Sequence, residues 1–252
     1  MNDIDTTFEA RSGRSHAPRR VLAIVSNTAK LHGMPVGFFG EELTRAFLAF
    51  IEAGHNVVVA SPNGGEVMVD AHSDPRTPEG DYRDDLITLG FLNHDTFGQL
   101  LNDTQSTADV DVDDYDAVWV AGGGGPLLTF KDDVKLHALI ARFYEAGKVV
   151  SLICHGSSLL LWSRLSDGTL LSAGKRWTGF TDAEEEIVNE TFGVTLNDYT
   201  IESEAAGIDT TIFLHREANE PFAVRDGRLI TGQQQYSSAL TAELVLEALD
   251  EL

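Results

Sequence analysis

Short apolar runs alternate with amphipathic segments along most of the chain. The runs RVLAIVSN (20–27), NVVVAS (56–61) and AVWVA (117–121) have the continuous apolar character of strands that are buried on both faces. Between the first two lies GFFGEELTRAFLAFIEA (37–53), whose apolar residues recur every three or four positions and which is followed by Gly54 as a C-cap. Strand, helix and strand joined by short connections predict a parallel βαβ unit.

The same alternation continues to the C-terminus. The further predicted strands are 149–153, 175–178, 210–214 and a hairpin over 222–231 that turns at Asp226-Gly227. The further predicted helices are 91–101, 134–146, one beginning after Thr181 and one over 236–252. This order predicts an α/β fold with a doubly wound, mostly parallel sheet flanked by helices. We expect a single domain over 19–252, preceded by a flexible arm at 1–18.

Two connections stand out for their length. Residues 28–36 are expected to form a loop, and residues 62–85 form a long irregular segment with glycines and prolines. Long connections in compact domains are often functional or cover a site. His72, with Asp70 and Asp74, is one group in this segment that is able to line a pocket.

The segment VVSLICHGSSLLL (149–161) carries the clearest candidate chemistry. It predicts a buried strand, a sharp turn and a helix start, with the single cysteine, Cys154, on the turn. Gly156 leaves room for the helix to pass close to the strand, as in a nucleophile elbow, although Leu152 stands where that pattern has a small residue. The backbone N–H groups at the helix start favour a thiolate. A buried structural cysteine is the alternative interpretation.

Helical spacing points to Glu42 as a second candidate. Glu42 follows Phe39 by three residues and precedes Ala46 by four, so its carboxyl lies at the margin of the apolar face. Partial burial there raises the pKa of a carboxyl group. A solvated glutamate at the helix margin fits the spacing equally well. Glu41 is expected to form an ordinary surface pair with Arg45, one turn away.

His155 is next to the cysteine in sequence, so the two side chains do not form a simple facing pair. The imidazole is able to turn back from the helix start if an acidic residue anchors it. The backbone N–H of His155, with Gly123 or Gly124, is a candidate oxyanion hole. Six further histidines show none of the spacings that are typical of metal ligands. They are His16, His32, His55, His72, His94 and His137.

Composition limits the partners. There are 40 Asp and Glu against 18 Lys and Arg, for a net charge of −22, and this disfavours nucleic-acid and anionic-membrane partners. The acids are dispersed, and lysines number only five, which favours a salt-rich host. One cysteine, no membrane-length apolar run and a polar N-terminus favour a cytoplasmic location.

Taken together, these motifs resemble the ThiJ/PfpI (DJ-one) superfamily, and most closely its branch of glutathione-independent glyoxalases and chaperones. The matching segments are GFFGEEL (37–43), AGHNV (53–57), VAGGGG (120–125), ICHG (153–156), TGFTDAEE (178–185) and DGRLITGQ (226–233). The resemblance implies a flavodoxin-like, class I glutamine amidotransferase-like fold with a nucleophile elbow, and a homodimer.

The resemblance also implies roles for individual residues. Cys154 is then the nucleophile, Glu42 a buried protonated acid that touches its sulfur, and His155 the partner base. The acid that orients His155 is Asp182 or Glu185, and we prefer Glu185. Gly123 and His155 supply the N–H groups of the oxyanion hole.

Three positions depart from the family pattern. Gly124 stands in place of a histidine, Ser157 in place of a proline, and Gln233-Gln234-Gln235 in place of Gln-Asn-Pro. All three lie near the expected pocket, so Gly124 and Gln234 are expected to set the range of substrates.

The leading functional hypothesis is a cysteine-dependent enzyme that acts on small reactive aldehydes, converting methylglyoxal to lactate without a cofactor or metal. An amidase, peptidase or glutamine amidotransferase is a second hypothesis, because His215-Arg216-Glu217 has the His-x-Glu pattern of glutaminases. A stress-linked chaperone or redox sensor, in which Cys154 is oxidised to a sulfinic acid, is the third.

Overall fold

The computed structural model describes residues 17–77 and 81–252. The predicted arm at 1–18 therefore lies outside the described residues, except for its last two. The first half contains β1 (Arg20–Ile24), β2 (Ala29–Leu31), β3 (Met34–Val36), α1 (Gly40–Glu52), β4 (Asn56–Ser61), α2 (Leu86–Asn93), β5 (Gln105–Ser106) and β6 (Ala117–Val120). The second half contains α3 (Gly124–Thr129), α4 (Val134–Glu145), β7 (Val149–Ile153), β8 (Arg176–Trp177), α5 (Asp182–Phe192), α6 (Ile201–Ala206), β9 (Ile212–Phe213), β10 (Ala223–Asp226), β11 (Leu229–Gly232) and α7 (Ser238–Asp250).

Seven of the described strands form one sheet in the order β10-β11-β7-β6-β1-β4-β5. All neighbours pair in parallel except β10 and β11, which form the antiparallel hairpin predicted at Asp226-Gly227. The predicted doubly wound, mostly parallel α/β sheet is therefore confirmed. The central strands β1, β6 and β7 are almost completely buried, which explains their continuous apolar sequences.

The order of the strands reverses between β1 and β6. From β1 the chain moves to β4 on one side, and it later returns to place β6 on the other side. In open α/β sheets, ligands bind beyond the carboxyl ends of the strands at such a switch point. The segments that follow β6 and β7 contain the glycine run and Cys154, so both candidate motifs lie at this position.

Two predicted segments differ from the structure. The helix expected at 91–101 instead begins at Leu86 and ends at Asn93, because the Asp85 carboxylate accepts the backbone N–H groups of Ile87 and Thr88 as an N-cap. The segment expected as a loop at 28–36 is the antiparallel β2–β3 hairpin. Its turn residues His32 and Gly33 both have positive φ angles, of 49° and 84°, which suits a tight hairpin turn.

The helix α5 follows the prediction at its start. Thr181 and Glu184 form a reciprocal capping box, and three acidic residues lie in the first turn. The helix ends at Phe192 and is capped by Gly193, which adopts the left-handed conformation at φ 68°. This helix brings Glu185 to the candidate site described below, and further α5 side chains line the cavity above it. Among the described helices, none combines the length and the hydropathy needed to cross a bilayer.

Candidate active site

Cys154 lies directly after β7, at the predicted turn between strand and helix. Its φ angle is +56°, a left-handed conformation that costs free energy for any residue with a side chain. The turn is held by close packing: a Cβ on Gly156 would lie 2.8 Å from the carbonyl oxygen of Val120. The Ser157 hydroxyl also donates a 2.7 Å hydrogen bond to the carbonyl of Cys154. The hydroxyl therefore supports the elbow at the position where the family pattern has proline.

Glu42 lies in the first turn of α1. Its side chain is fully buried, whereas the helical spacing predicted only partial burial. Its Oε2 accepts the backbone N–H of Gly122 at 2.5 Å, and the Trp119 indole N–H donates to its backbone carbonyl at 3.0 Å. Oε1 has no oxygen or nitrogen partner within the described residues, and the carboxyl interacts with the Cys154 thiol. Burial raises the pKa of Glu42 to about 8, so the carboxyl is protonated at neutral pH.

Protonation accounts for the different surroundings of the two oxygens. A neutral carboxyl has one acceptor oxygen and one hydroxyl donor. Oε2 accepts from Gly122, so the proton is on Oε1, where it is able to donate toward the sulfur of Cys154 or toward an oxygen bound beside it. Burial, followed by the neighbouring Glu42 carboxyl, raises the pKa of the Cys154 thiol. The backbone N–H of His155 opposes this shift by interacting with the sulfur.

His155 connects the thiol to a carboxylate on α5. Its Nδ1 lies 3.7 Å from the Cys154 sulfur, and its Nε2 lies 2.9 Å from Oε1 of Glu185. An Nε2–H that donates to the carboxylate leaves Nδ1 as an acceptor for the thiol proton. The positive φ of Cys154 turns the two adjacent side chains toward each other, and the Phe180 ring lies 4.4 Å from the imidazole centre.

Glu185 is buried and has a second partner that the sequence did not indicate. Its Oε2 accepts the side-chain N–H of Asn197 at 2.7 Å, so both carboxylate oxygens have partners. Asn197 lies 12 residues beyond Glu185, in the segment between α5 and α6. No periodicity or motif marks it, because the contact depends on how that segment returns over α5.

Asp182, the alternative to Glu185, does not reach His155. It is exposed at the first position of α5, where its carboxylate accepts the Ser203 hydroxyl at 2.7 Å. Its backbone N–H donates to Glu202 at 2.8 Å. Asp182 therefore faces α6, whereas Glu185, three residues later, faces the imidazole.

The glycine run after β6 allows these elements to approach one another. A Cβ on Gly122 would lie 2.7 Å from the backbone nitrogen of His155, 2.8 Å from the Cβ of Cys154 and 2.9 Å from Oε2 of Glu42. Gly123 adopts φ 114°, and a Cβ there would lie 2.5 Å from the backbone nitrogen of Phe39. Side chains at either position would separate α1 from the thiol.

A cavity of about 510 Å³ opens above the thiol. Cys154, His155, Glu185, Gly123 and Gly124 line it, together with Asp70 and His72 from the long connection at 62–85. That connection therefore contributes to the site, as its length suggested. Asp74, the third residue of that group, instead pairs with Arg76 at 2.7 Å.

Gln234 does not line the cavity, contrary to expectation. Its side chain is buried and caps the turn at 235–237, accepting the Ser237 N–H at 3.1 Å and donating to the Glu220 carbonyl at 3.0 Å. Gln235 lines the cavity instead and donates to the Tyr82 hydroxyl at 3.0 Å. The backbone is extended at Gln234 and begins a 3-10 turn at Gln235, so the two adjacent side chains point in different directions.

Two further predictions change with the structure. Glu41 does pair with Arg45, but Glu41 is buried rather than at the surface. His215, the histidine of the His-x-Glu pattern, is half exposed, lies outside the cavity and is 3.4 Å from Glu202. Within 17–77 and 81–252, no three His, Cys, Asp or Glu side chains cluster as metal ligands do.

The chain is similar to known proteins over most of its length. The sequence profile of the DJ-1/PfpI family matches residues 36–248. Glyoxalase 3 of Candida albicans is 28% identical over 236 residues, which cover 91% of this chain and 98% of that protein. The glutathione-independent glyoxalase HSP31 of Saccharomyces cerevisiae is 27% identical over 241 residues, covering 92% of this chain and 99% of the yeast protein. The crystal structure of glyoxalase III from Candida albicans superposes with a TM-score of 0.75 at 27% identity, covering 91% of this chain and 97% of the other.

Proposed function

Because the chain belongs to the DJ-1/PfpI family, we propose that it is a glutathione-independent glyoxalase that converts methylglyoxal to lactate with Cys154 as its nucleophile. One observation carries the proposal: the Cys154 sulfur contacts a base, His155, and a buried protonated acid, Glu42. The two relatives named above are glyoxalases, and the similarity to this chain covers nearly their whole length.

The first step needs a thiolate in a site that disfavours one. His155 Nδ1 takes the proton from the thiol, and Glu185 stabilises the resulting imidazolium through Nε2. The thiolate attacks the aldehyde carbon, and His155 returns the proton to the aldehyde oxygen. The product is a neutral hemithioacetal on Cys154, with the ketone of the substrate intact.

In the second step a proton leaves the former aldehyde carbon and a proton is added to the former ketone carbon. His155 removes the C–H proton of the hemithioacetal while the Glu42 carboxyl donates its proton to the ketone oxygen, which gives an enediol. Glu42 then recovers a proton from the enediol, and His155 delivers its proton to the former ketone carbon. The result is a thioester of lactate on Cys154, and water hydrolyses it to lactate and the free thiol.

A protonated Glu42 is suited to this exchange because its Oε1 has no competing oxygen or nitrogen partner among the described residues. The N–H groups of Gly123 and His155 are the proposed donors to the oxyanion that forms as water attacks the thioester. This assignment rests on the interaction of the His155 N–H with the sulfur and on Gly123 lining the same cavity as Cys154.

The test is lactate formation from methylglyoxal in the absence of glutathione, at low and high salt. The wild-type protein is expected to form lactate, and Cys154→Ala is expected to lose this activity while keeping its circular dichroism spectrum. His215→Gln is the matched control and is expected to retain full activity, because His215 lies outside the cavity. Equal lactate formation by the wild type and Cys154→Ala would refute the proposal.

Several finer points remain predictions that accompany this proposal. They are a homodimer, a cytoplasmic location, a salt-rich host, and an additional chaperone or redox-sensing role for the same protein. The amidase alternative has lost its main support, because the His-x-Glu histidine lies away from Cys154.

A further inference from the structure

We propose that the preferred substrate is a 2-oxoaldehyde whose ketone carbon bears a bulky, uncharged, apolar substituent, such as an alkyl chain of several carbons or a phenyl ring. This inference rests on the proposed function, because it names the substrate of the same site. Methylglyoxal would then be a small and poorly bound member of the accepted class. The inference depends on the size, the lining and the charge of the cavity.

The cavity is large for a methyl substituent. Its volume of about 510 Å³ lies in the range of about 300–1,000 Å³ that is typical of sites for ligands of drug size. The methyl group and two carbonyl groups of methylglyoxal leave most of this space to water. A larger substituent displaces that water, and apolar surface gains free energy on leaving water.

The reactive groups lie on the floor of the cavity, and its mouth combines several apolar side chains with the exposed Asp81 and Tyr236. Cys154 and His155 are 3% and 7% exposed, which places the chemistry at the closed end. Met34, Ile187 and Phe192 also line the cavity, but they are 43%, 44% and 38% exposed, which places them at its entrance. An aldehyde carbon at the sulfur therefore directs the substituent toward these apolar side chains.

More apolar side chains lie along the walls, and they come from separate parts of the chain. They are Leu31, Val36, Leu127, Val188 and Leu196. The β2–β3 hairpin, α3 and α5 thus all present apolar surface to the same space. A polar substituent would lose hydrogen bonds with water along this path, whereas an apolar one would not.

The charged residues of the cavity exclude anionic substituents. Among residues 17–77 and 81–252, no Lys or Arg lines the cavity, while Asp70, Asp81, Glu184 and Glu185 do. The chain as a whole carries a net charge of −22. A phosphorylated or carboxylated aldehyde would therefore meet like charge without a cationic partner.

The test is a series of 2-oxoaldehydes with straight alkyl substituents from methyl to hexyl, each assayed for conversion to the 2-hydroxy acid by the full-length protein. Rates are normalised to the reaction of each aldehyde with a free thiol, which removes differences in intrinsic reactivity. We expect kcat/KM to rise at least about tenfold along the series, because one methylene in an apolar pocket is worth about tenfold or more. A carboxylate at the far end of the longest chain is expected to abolish this gain.

A pair of matched variants locates the effect. Ile187→Ser removes apolar surface at the mouth and is expected to reduce kcat/KM more for the hexyl than for the methyl substrate. Ile212→Ser is the control, because Ile212 is similarly exposed, at 48%, but lies outside the cavity. It is expected to leave both values unchanged.

The outcomes separate this inference from the proposed function. Conversion of methylglyoxal with a flat or falling series would overturn the inference and leave the glyoxalase proposal standing. If no aldehyde is converted, a second measurement is made: the rate at which N-alkyl iodoacetamides of increasing chain length label Cys154. Faster labelling with longer alkyl chains then supports the apolar preference, and labelling that is independent of chain length overturns it.

Discussion

The buried acid beside the thiol leads to a prediction about stability as well as about catalysis. Glu42 is fully buried, and burial raises its pKa from 4.5 to about 8. One pKa unit corresponds to about 1.36 kcal/mol, so ionising this carboxyl costs on the order of 5 kcal/mol more in the folded protein than in the unfolded chain. Glu42→Gln keeps the shape of the neutral carboxyl and removes its titration.

The sign of the effect follows from proton binding. Between about pH 4.5 and about pH 8 the unfolded chain has released the Glu42 proton, whereas the folded chain retains it. Folding therefore takes up a proton in this window, and the stability that Glu42 contributes is lost as the pH rises. We expect the wild type to lose stability relative to Glu42→Gln by about 1.4 kcal/mol per pH unit until the pH reaches the folded pKa.

Urea unfolding at fixed ionic strength between pH 4 and pH 9 measures this difference. Comparing the two proteins at each pH cancels the titration of the other acidic groups. Glu52→Gln on the same helix is the control, because Glu52 is exposed, and it is expected to show no such trend. A difference between wild type and Glu42→Gln that stays constant with pH, within about 1 kcal/mol, would contradict the assignment of Glu42 as a protonated acid.

Two further predictions test how the site is held together. Glu185→Gln is expected to lower kcat for methylglyoxal by about 10²–10⁴-fold with little change in KM, because it removes the charge that orients and stabilises the imidazole of His155. Asp182→Asn is the control and is expected to leave kcat unchanged. Equal losses of kcat in both variants would argue against the orienting role of Glu185. Gly122→Ala is expected to destabilise the protein by about 1–3 kcal/mol, because the new Cβ would press on the Cβ of Cys154, the backbone nitrogen of His155 and the carboxyl of Glu42. Gly90→Ala, in open space on α2, is the control and is expected to stabilise the protein by about 0.5–1 kcal/mol. Thermal unfolding measures both variants, and unchanged stability of Gly122→Ala would show that these elements do not approach as closely as described.

Much of the fold is decided by local patterns. The buried strands β1, β4, β6 and β7 are continuous apolar runs, which few other structures accommodate. Thr181 and Glu184 specify the start of α5, because a capping box satisfies backbone N–H groups through side chains only three residues apart. The position of Cys154 on a turn after β7 follows from the same kind of signal.

Spacing along a helix was informative but incomplete at the site. It placed Glu42 at the margin of the apolar face, whereas the structure buries this side chain completely under the glycine run. It placed Glu41 at the surface, whereas Glu41 is also buried. Helical periodicity describes one helix, and burial depends on everything that packs around the helix, including segments distant in sequence.

Tertiary structure alone decided which side chains meet. Asp182 and Glu185 are one turn apart in the sequence pattern, but contacts between α5 and α6 direct Asp182 to Ser203 and leave Glu185 facing His155. Gln235 rather than Gln234 faces the cavity, because the Gln234 side chain caps the 3-10 turn that begins at Gln235. The sequence by itself determined the fold class and the position of the Cys154 thiol on its turn, since these depend on local periodicity and turn chemistry. The partners of that thiol depend on how distant segments pack, which no local pattern encodes.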